Sequence, residues 1–288
     1  MEFNQDIELI EALGEMYPNS KRNTLRKMLT SGRVSIDGEI VHKAKFILKK
    51  GKKVIVSDRE SAAISSPPPS PRKPSRVKLL FEDEHIVVVN KQAGLLSVST
   101  DKMEPDTLHS RVVDLLKSEN EKSWAYIVHR LDRETSGVMI FAKHKRHKEY
   151  LQEQFANRNV HRTYHALIEG RPNQDSGTIR EWLLEDKFLK VKAVKKNHPR
   201  AKEAITHYSV VDYDEYASLL QLTIETGRRH QIRVGLANLG CPVVGDKTHG
   251  AEGNPIGRIA LHASSLEFLH PETDDPVRFE APIPFGPE

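Results

Sequence analysis

The hydrophobic pattern near the N-terminus predicts two short helices followed by a small sheet. Apolar residues recur at three-to-four spacing over residues 6–17 and again over residues 21–30, as one face of a helix requires. An Asp37-Gly38 pair between apolar residues predicts a tight hairpin turn, and a last short strand is expected at 54–56. This order of elements indicates a small α/β domain.

From residue 77 onward the pattern changes to short apolar strands with few helices. Helical spacing is found over residues 106–118 and 145–157. The strands are expected at 77–81, 86–90, 126–129, 138–142, 162–169, 204–211 and 219–225. Because strands outnumber helices and turn signals are frequent, the pattern favours an α+β fold with a mixed, largely antiparallel sheet.

The segment between these two parts has the composition of a linker. Ser and Pro supply 11 of the 20 positions of residues 57–76, and Ile64 is the one large apolar residue there. Such a segment lacks the apolar surface needed for a core and favours extended conformations. We therefore expect a domain over residues 1–56, a Ser/Pro-rich linker over 57–76 and a larger domain over 77–288.

Composition narrows the class of protein. The chain has 288 residues, of which 38% are hydrophobic, so at least one substantial core is expected. A single cysteine, Cys241, excludes an internal disulfide framework. No apolar run approaches the roughly 18 residues of a membrane span, and the N-terminal residues lack a signal-peptide pattern. These features predict a cytoplasmic protein that does not bind a membrane.

The net charge of +4 is modest, but its distribution is uneven. Residues 1–19 carry five acidic side chains and no basic one, whereas residues 20–53 carry eleven basic and two acidic side chains. A concentrated basic face is typical of proteins that bind polyanions such as RNA. A solvated lysine-rich surface is the alternative interpretation.

The densest polar cluster is HRLDRETSG at residues 129–137, between two apolar strands. Loops held by a sheet often carry catalytic groups. Asp132 lies between Arg130 and Arg133, whose positive charges favour an ionised carboxylate that serves as a nucleophile or base. A purely structural Asp–Arg pair in a turn is the alternative.

A second polar cluster is TGRRHQIR at residues 226–233. We expect a helix from this turn to about Leu239, with Arg229 and Arg233 one turn apart and His230 beside them. A helix N-terminus with arginine side chains is suited to bind phosphate. A charged surface helix is the alternative.

Taken together, these clusters resemble the RluA-type family of RNA pseudouridine synthases. The motifs HRLDRETSGVMIFAK, RTYHALIEG, TGRRHQIR, CPVVGD and RIALHASSLEFLHP follow one another in this order, and KLLFEDEHIVVVNKQAGLLSV resembles the family's opening strands. The resemblance implies the pseudouridine synthase fold over nearly all of residues 77–288. It also implies isomerisation of uridine in structured RNA, a redox-neutral reaction that needs neither a metal nor a cofactor.

The resemblance also implies roles for individual residues. Asp132 matches the catalytic aspartate, and Arg233 the basic residue paired with that aspartate. Tyr164 matches the tyrosine that stacks on the base, with acceptance of the C5 proton as a further possible role. The RNA-binding positions expected in this part of the chain are Arg130, Arg228 and His230. The target uridine must leave its stack to reach such residues.

The N-terminal part resembles the ribosomal S-four-like RNA-binding domain, through the segment SKRNTLRKMLTSGRVSIDGEIVHKAKFILKKGKKVIV. In that family the second helix and the following hairpin face RNA. The side chains that fall there are Lys21, Arg22, Arg26, Lys27 and Arg33. Because this combination of domains is common among enzymes that modify large-subunit ribosomal RNA, that RNA is the expected partner, with transfer RNA as the main alternative.

The chain departs from the family pattern at three places. Gly235 stands where a histidine is frequent, His249 where an aromatic residue is usual, and Gln92 where a proline is common. None of these positions carries the chemistry. The departures concern the choice of substrate and local packing.

Other functions are compatible with parts of the sequence. A non-catalytic ribosome-assembly factor needs the RNA-binding residues but not Asp132. A nuclease or glycosidase using Asp132 needs a second carboxylate, for which Glu134 is the near candidate. The histidine pairs His161/His165 and His144/His147 do not match a metal-binding pattern, so no metal is expected. No obligate protein partner is expected either.

Overall fold

The computed structural model describes residues 1, 3–57, 77–100, 104–186 and 189–286. Most of the expected linker, residues 58–76, lies outside the described residues. The chain divides into two compact units. The first is drawn mainly from the N-terminal residues, and the second consists of Arg76–Val98 and Asp106–Glu288.

In the part of the N-terminal unit that the structure describes, there are two helices and five short strands. They are β1 (Ile7–Glu8), α1 (Leu9–Met16), α2 (Arg22–Thr30), β2 (Val34–Ile36), β3 (Glu39–Ile40), β4 (Ile47–Leu48) and β5 (Val54–Val56). Strands β3, β2 and β5 form one antiparallel sheet, and β1 pairs with β4. Helix α1 begins later than predicted because residues 7 and 8 pair with β4.

The predicted hairpin turn is confirmed. Asp37 and Gly38 have φ angles of 50° and 92°, so both occupy the left-handed region that a two-residue turn requires. The Asp37 carboxylate also accepts hydrogen bonds from Lys52 Nζ (2.6 Å) and from the backbone N–H of Lys53 (3.1 Å). The turn is therefore held to strand β5 by polar contacts, while Leu29 and Val34 are buried in the core of the unit.

The large unit is an α+β fold around one extended sheet. Its strands are β6 (Lys78–Glu82), β7 (Ile86–Lys91), β8 (Tyr126–Ile127), β9 (Ser136–Ala142), β10 (His161–Glu169), β11 (Ser176–Glu185), β12 (Val191–Val194), β13 (Lys202–Tyr213), β14 (Ala217–Ile224), β15 (Leu261–Leu269) and β16 (Pro276–Glu280). Its helices are α3 (Leu108–Glu119), α4 (Lys145–Ala156) and α5 (Gln231–Asn238), with a short 3₁₀ helix at Lys247–His249.

The strand order of this sheet is β12-β11-β13-β14-β10-β15-β9-β7-β6, with β16 on β15 and β8 on β9. All pairs are antiparallel except β9 with β15. The predicted mixed, largely antiparallel sheet is therefore confirmed. Every residue of β9 is buried, which places this strand in the centre of the core.

Four strands of the sheet are not evident in the sequence pattern, for three reasons. Strand β11 is mostly exposed along its first half and β12 is short, so neither presents a continuous apolar run. Strand β15 is buried on both faces and mixes Ser and His with apolar residues, which obscures any period of two. Strand β16 begins with Pro276 at the edge of the sheet.

This architecture brings two connections and one strand together around one cavity. The loop before β9, strand β10 and the turn before α5 all contribute side chains to its wall. Helix α4 supplies a further part of the wall through Gln152 and Phe155. Within the described part of the chain, no helix is both long and apolar enough to cross a membrane.

Candidate active site

A cavity of about 620 Å³ in the large unit collects the residues singled out in the two polar clusters. Its lining includes Arg130, Asp132, Tyr164, Arg228, His230 and Arg233. These residues come from segments about 100 positions apart in the chain. The fold thus assembles into one site all six positions that the sequence predicts in this part of the chain.

The backbone on both sides of Asp132 is fixed by buried side chains. Ser97 Oγ donates to the Leu131 carbonyl oxygen (2.6 Å) and accepts from the Leu131 N–H (3.1 Å). Lys91 Nζ donates to the carbonyl oxygen of Arg133 (2.8 Å). Since Leu131 and Arg133 flank Asp132, the carboxylate is presented by a loop whose backbone is held in place.

Lys91 is fully buried and is not among the residues that the sequence singles out. Its ammonium group also donates to the carbonyl oxygens of Gln92 (3.0 Å) and Leu95 (2.6 Å), so all three of its hydrogens have acceptors. Burial lowers the pKa of Lys91 to about 7, against the opposing effect of the negative charges on Glu134 and Asp132. The sequence feature that points to this residue is a lysine at the end of the apolar strand IVVVNK.

The Asp132 carboxylate is partly open to the cavity, with 27% of its side chain exposed. Its nearest basic group is His230, whose Nε2 lies 4.0 Å from Asp132 Oδ2. Burial lowers the pKa of His230 to about 4, against the opposing effect of the Asp132 charge. At neutral pH His230 is therefore an uncharged neighbour of Asp132, and it packs edge-on against His249.

The structure corrects the expected pairing of Arg233 with Asp132. Arg233 donates from Nε (2.6 Å) and Nη2 (2.8 Å) to the two carboxylate oxygens of Asp246, and both residues are buried. A fully buried carboxylate needs a hydrogen-bonded cation, and the guanidinium fork matches it. Asp246 is the last residue of the CPVVGD motif, and its spacing in the sequence gives no sign of this pairing.

The start of helix α5 also differs from the prediction. The helix begins at Gln231, so Arg229 precedes it and does not share a helical face with Arg233. Arg229 instead pairs with Glu185 (3.2 Å). The Gln231 side chain accepts a hydrogen bond from Thr226 Oγ1 (2.7 Å). This contact stabilises a turn over residues 226–231, where the sequence predicts the first turn of the helix.

Tyr164 reaches the cavity through an irregularity in strand β10. The register between β10 and β15 shifts between Thr163 and Tyr164, as in a β-bulge, and bulges often direct a side chain into a site. Tyr164 is buried, and this burial raises the pKa of its phenol. The hydroxyl therefore keeps its proton at neutral pH.

Arginine side chains surround the cavity. Arg158 and Arg162 line it in addition to the predicted Arg130 and Arg228. The Arg162 guanidinium lies 5.5 Å from the centre of the Phe155 ring, its buried Nε has no hydrogen-bond partner among the described residues, and desolvation lowers its pKa. Arg158 pairs with Glu225, which also lines the cavity (3.1 Å). The lining holds more arginines than carboxylates, so the cavity is suitable for a ligand that carries phosphate.

The basic residues predicted in the N-terminal unit lie on and beside α2. Lys21 immediately precedes the helix, and Arg33 follows it and donates to the Ser57 carbonyl oxygen (2.7 Å). The exposed members of the set are Lys21, Arg22 and Lys27, whereas Arg26 and Arg33 are half-buried. These positions share one helix and its end, which is the arrangement that the sequence predicts.

The cavity thus combines the Asp132 carboxylate on a fixed loop, a protonated tyrosine and several arginines. A sequence model of the RNA pseudouridylate synthase family matches residues 85–238. The chain belongs to this family and shares the RluA-type pattern of motifs. It is an isomerase that converts uridine to pseudouridine in RNA.

Similar proteins extend over most of the chain. The uncharacterized RNA pseudouridine synthase YhcT of Bacillus subtilis (strain 168) is 35% identical over 241 residues, covering 83% of this chain and 78% of its own length. The ribosomal large subunit pseudouridine synthase D of Xanthomonas campestris pv. campestris is 33% identical over 288 residues, covering 94% of this chain and 84% of its own length. The structure of human RNA Pseudouridylate Synthase Domain Containing 4 has the same fold, with a TM-score of 0.61 at 24% identity, covering 72% of this chain and 88% of that one.

Proposed function

We propose that this enzyme isomerises uridine in large-subunit ribosomal RNA in the cytoplasm, with Asp132 as the essential carboxylate. The observation that carries the proposal is the fixed loop around Asp132. Its backbone is held by Lys91 and Ser97, and its carboxylate opens into an arginine-lined cavity. An oriented carboxylate is the group that can act on the ribose carbon of the glycosidic bond.

The overall reaction is balanced within the nucleotide. The bond from the ribose anomeric carbon to uracil N1 breaks, and a bond from the same carbon to C5 forms. N1 gains a proton and C5 loses one, so no oxidant, reductant or leaving group is needed. This chain has to hold the carboxylate at the sugar, retain the detached base and accept the C5 proton.

Tyr164 is suited to the second of these tasks. Its ring lies in the wall of the cavity beside Asp132, and its phenol is protonated at neutral pH because burial raises its pKa. A buried aromatic ring stacks on a base that has left the helix. Arg158, Arg162 and Arg228 then contact the phosphates on either side of the target nucleotide.

The N-terminal unit is proposed to be an S-four-like RNA-binding domain. Its α2 helix presents Arg22 and Lys27 on an exposed surface, with Lys21 before them. Flexible cations on a helix suit A-form RNA, which proteins recognise mainly by shape and phosphates. Support for ribosomal RNA comes from relatives that are named ribosomal large subunit pseudouridine synthase D, with 30–33% identity to this chain. Transfer RNA is the alternative substrate.

Tritium release from RNA labelled at uracil C5 tests the proposal. The substrates are total large-subunit ribosomal RNA and total transfer RNA, each from cells that lack this protein. Wild type is expected to release tritium from the ribosomal RNA. Asp132→Asn is expected to lower the rate by roughly 10³-fold or more while RNA affinity is retained.

Glu134→Gln is the matched control because it removes a carboxylate two positions away in the same loop. It is expected to retain activity. Release from transfer RNA alone would redirect the proposal to that substrate. Free uracil or strand cleavage that depends on both Asp132 and Glu134 would favour a hydrolase, and tight binding without release a non-catalytic factor.

A further inference from the structure

A second cluster of chemically active side chains lies apart from the cavity, at the opposite end of helix α4. It joins His85, from the turn before β7, His147, from the first turn of α4, and Glu272, from the turn between β15 and β16. One ligand atom from each of the three lies within 4.8 Å of the others. Two further imidazoles pack nearby, His144 against His147 and His270 against His85.

The polar atoms of this cluster are incompletely satisfied. His85 Nδ1 is buried, has no hydrogen-bond partner among the described residues and lies 3.9 Å from Glu272 Oε2. His147 is 2% exposed, and its Nε2 lies 3.0 Å from the same carboxylate oxygen. Buried polar atoms without partners are uncommon and costly. Here two imidazole nitrogens converge on one carboxylate.

We propose that His85, His147 and Glu272 bind a zinc ion. Two imidazoles and a carboxylate are a ligand set that zinc commonly takes, with a solvent molecule as the fourth ligand. Zinc-to-ligand bonds of about 2.1 Å place neighbouring tetrahedral ligand atoms about 3.4 Å apart. The two nitrogen-to-oxygen distances of 3.0 and 3.9 Å bracket this value. The ligand atoms of the two histidines lie within 4.8 Å of each other, so side-chain rotation has to bring the three atoms to this spacing when the ion binds.

Arg146 is the cation that competes for this position. Its Nη2 donates to Glu272 Oε2 (3.0 Å), and its Nε donates to His147 Nε2 (3.0 Å). The Arg146 side chain is 71% exposed, so it can turn into solvent at little cost when a metal ion binds. The acceptors that it contacts are the atoms that a zinc ion needs.

The location of the site gives the ion a structural role. It connects three segments that are far apart in the sequence, and one of them begins helix α4. The later part of α4 carries Gln152 and Phe155, which line the catalytic cavity. A bound ion would therefore fix the helix that forms part of the cavity wall, without taking part in the isomerisation.

Calorimetric titration of the untagged, chelator-treated full chain with zinc chloride tests this proposal. One saturable site per chain is expected, with a rise in the unfolding temperature on zinc addition. The protein is purified without a nickel-affinity tag, because the histidines of such a tag bind zinc themselves. Cobalt binding followed by visible absorption reports the coordination of the same site, because its band intensities depend on the number of ligands.

The variants separate this site from other histidines. Glu272→Gln changes an exposed side chain and is expected to weaken zinc binding roughly ten-fold or more. His85→Asn is expected to have the same effect. Arg146→Ala is expected to tighten zinc binding, because it removes the competing cation. The matched controls Glu121→Gln and His161→Asn change exposed residues elsewhere and are expected to bind as wild type does.

Two outcomes would overturn the proposal. One is wild-type binding weaker than about 100 µM. The other is unchanged binding in Glu272→Gln, which places the ion at other imidazoles. Should His85→Asn fail to fold, the opposite effects expected for Glu272→Gln and Arg146→Ala still decide the question, since both alter exposed side chains.

Discussion

Arg233 and Asp246 form a doubly hydrogen-bonded ion pair inside the large unit, with N···O distances of 2.6 and 2.8 Å. Asp246 is fully buried, and both of its carboxylate oxygens accept hydrogen bonds from this guanidinium. The pair ties helix α5 to the segment that follows the isolated β-bridge at Val243. Arg233 is thereby fixed in the cavity wall, next to His230 at the start of the helix.

Breaking this pair on one side is expected to be strongly destabilising. Asp246→Asn removes the negative charge with little change of volume and leaves Arg233 buried and unpaired, at a cost of about 3–5 kcal/mol in the free energy of unfolding. Urea denaturation measures this change. Asp175→Asn, in an exposed pair with Arg171, is the control and should cost less than about 1 kcal/mol. A loss below about 1 kcal/mol for Asp246→Asn as well would show that the interior pair is not required.

The Lys91 clamp gives a prediction about turnover. Lys91→Met keeps the aliphatic stem but removes the ammonium group, so the carbonyl oxygens of Leu95 and Arg133 lose their donor. We expect a loss of about 2–3 kcal/mol in stability and a lower kcat, because the loop that presents Asp132 is no longer held. Urea denaturation and tritium release at saturating RNA measure the two effects.

The control for this variant is Lys145→Met, which removes an exposed ammonium group from helix α4. It should leave both stability and kcat near wild type. A Lys91→Met enzyme that is less stable but turns over normally at low temperature would limit the role of Lys91 to folding.

Three histidines with lowered pKa values predict sensitivity to acid. Burial is the main cause that lowers the pKa of His129 to about 3 and of His230 and His262 to about 4. Between these values and about 6.5, the unfolded chain binds protons that the folded chain excludes. Stability is therefore complete above pH 6.5 and falls as the pH decreases toward 4. Each histidine contributes a loss on the order of 2 kcal/mol at pH 5.

Urea denaturation at pH 7 and pH 5 measures this loss in wild type and in His262→Gln. The variant is expected to be less stable at pH 7, since Ser136 Oγ loses its bond to His262 Nδ1, but to lose less on acidification. His161→Gln alters an exposed histidine and serves as the control. Equal losses in wild type and His262→Gln would contradict the assignment of His262 as a contributor.

The sequence predicts those features that local pattern determines. The loop around Asp132 is recognisable because an apolar strand follows it directly, and the Asp37-Gly38 turn because few residue pairs adopt its backbone angles. The isomerase family follows from several motifs in a fixed order. The loop and the turn are each specified by about fifteen or fewer consecutive residues, and the family by several such short motifs together.

Features that depend on distant partners are not predictable in the same way. The sequence favours a pairing of Arg233 with Asp132, but the carboxylate nearest to its guanidinium in the fold is Asp246. Glu272 lies 125 positions from His147, so sequence spacing gives no sign of their contact. Lys91 has the pattern of an ordinary strand-ending lysine, because its three acceptors are backbone carbonyls that only the folded loop brings together.

The basic surface of helix α2 leads to a prediction about salt. Replacing Arg22, Arg26 and Lys27 together by Ala is expected to weaken RNA binding and to reduce the slope of log affinity against log salt by about 1 for each phosphate that is no longer neutralised. Turnover at saturating RNA should persist, because the described residues that line the candidate active-site cavity all belong to the large unit. Filter binding at several salt concentrations and tritium release at saturation measure the two quantities.

The matched control removes the same amount of charge from the large unit. Lys117, Lys122 and Lys145 are exposed and lie outside the cavity lining, so their joint replacement by Ala tests whether total charge alone sets the affinity. The α2 variant should lose more affinity and more of the salt slope than this control, since specific phosphate contacts and not net charge determine the slope. Equal losses in the two variants would show that α2 has no special part in RNA binding. A fall in turnover at saturating RNA in the α2 variant would show instead that the N-terminal unit also positions the substrate for catalysis.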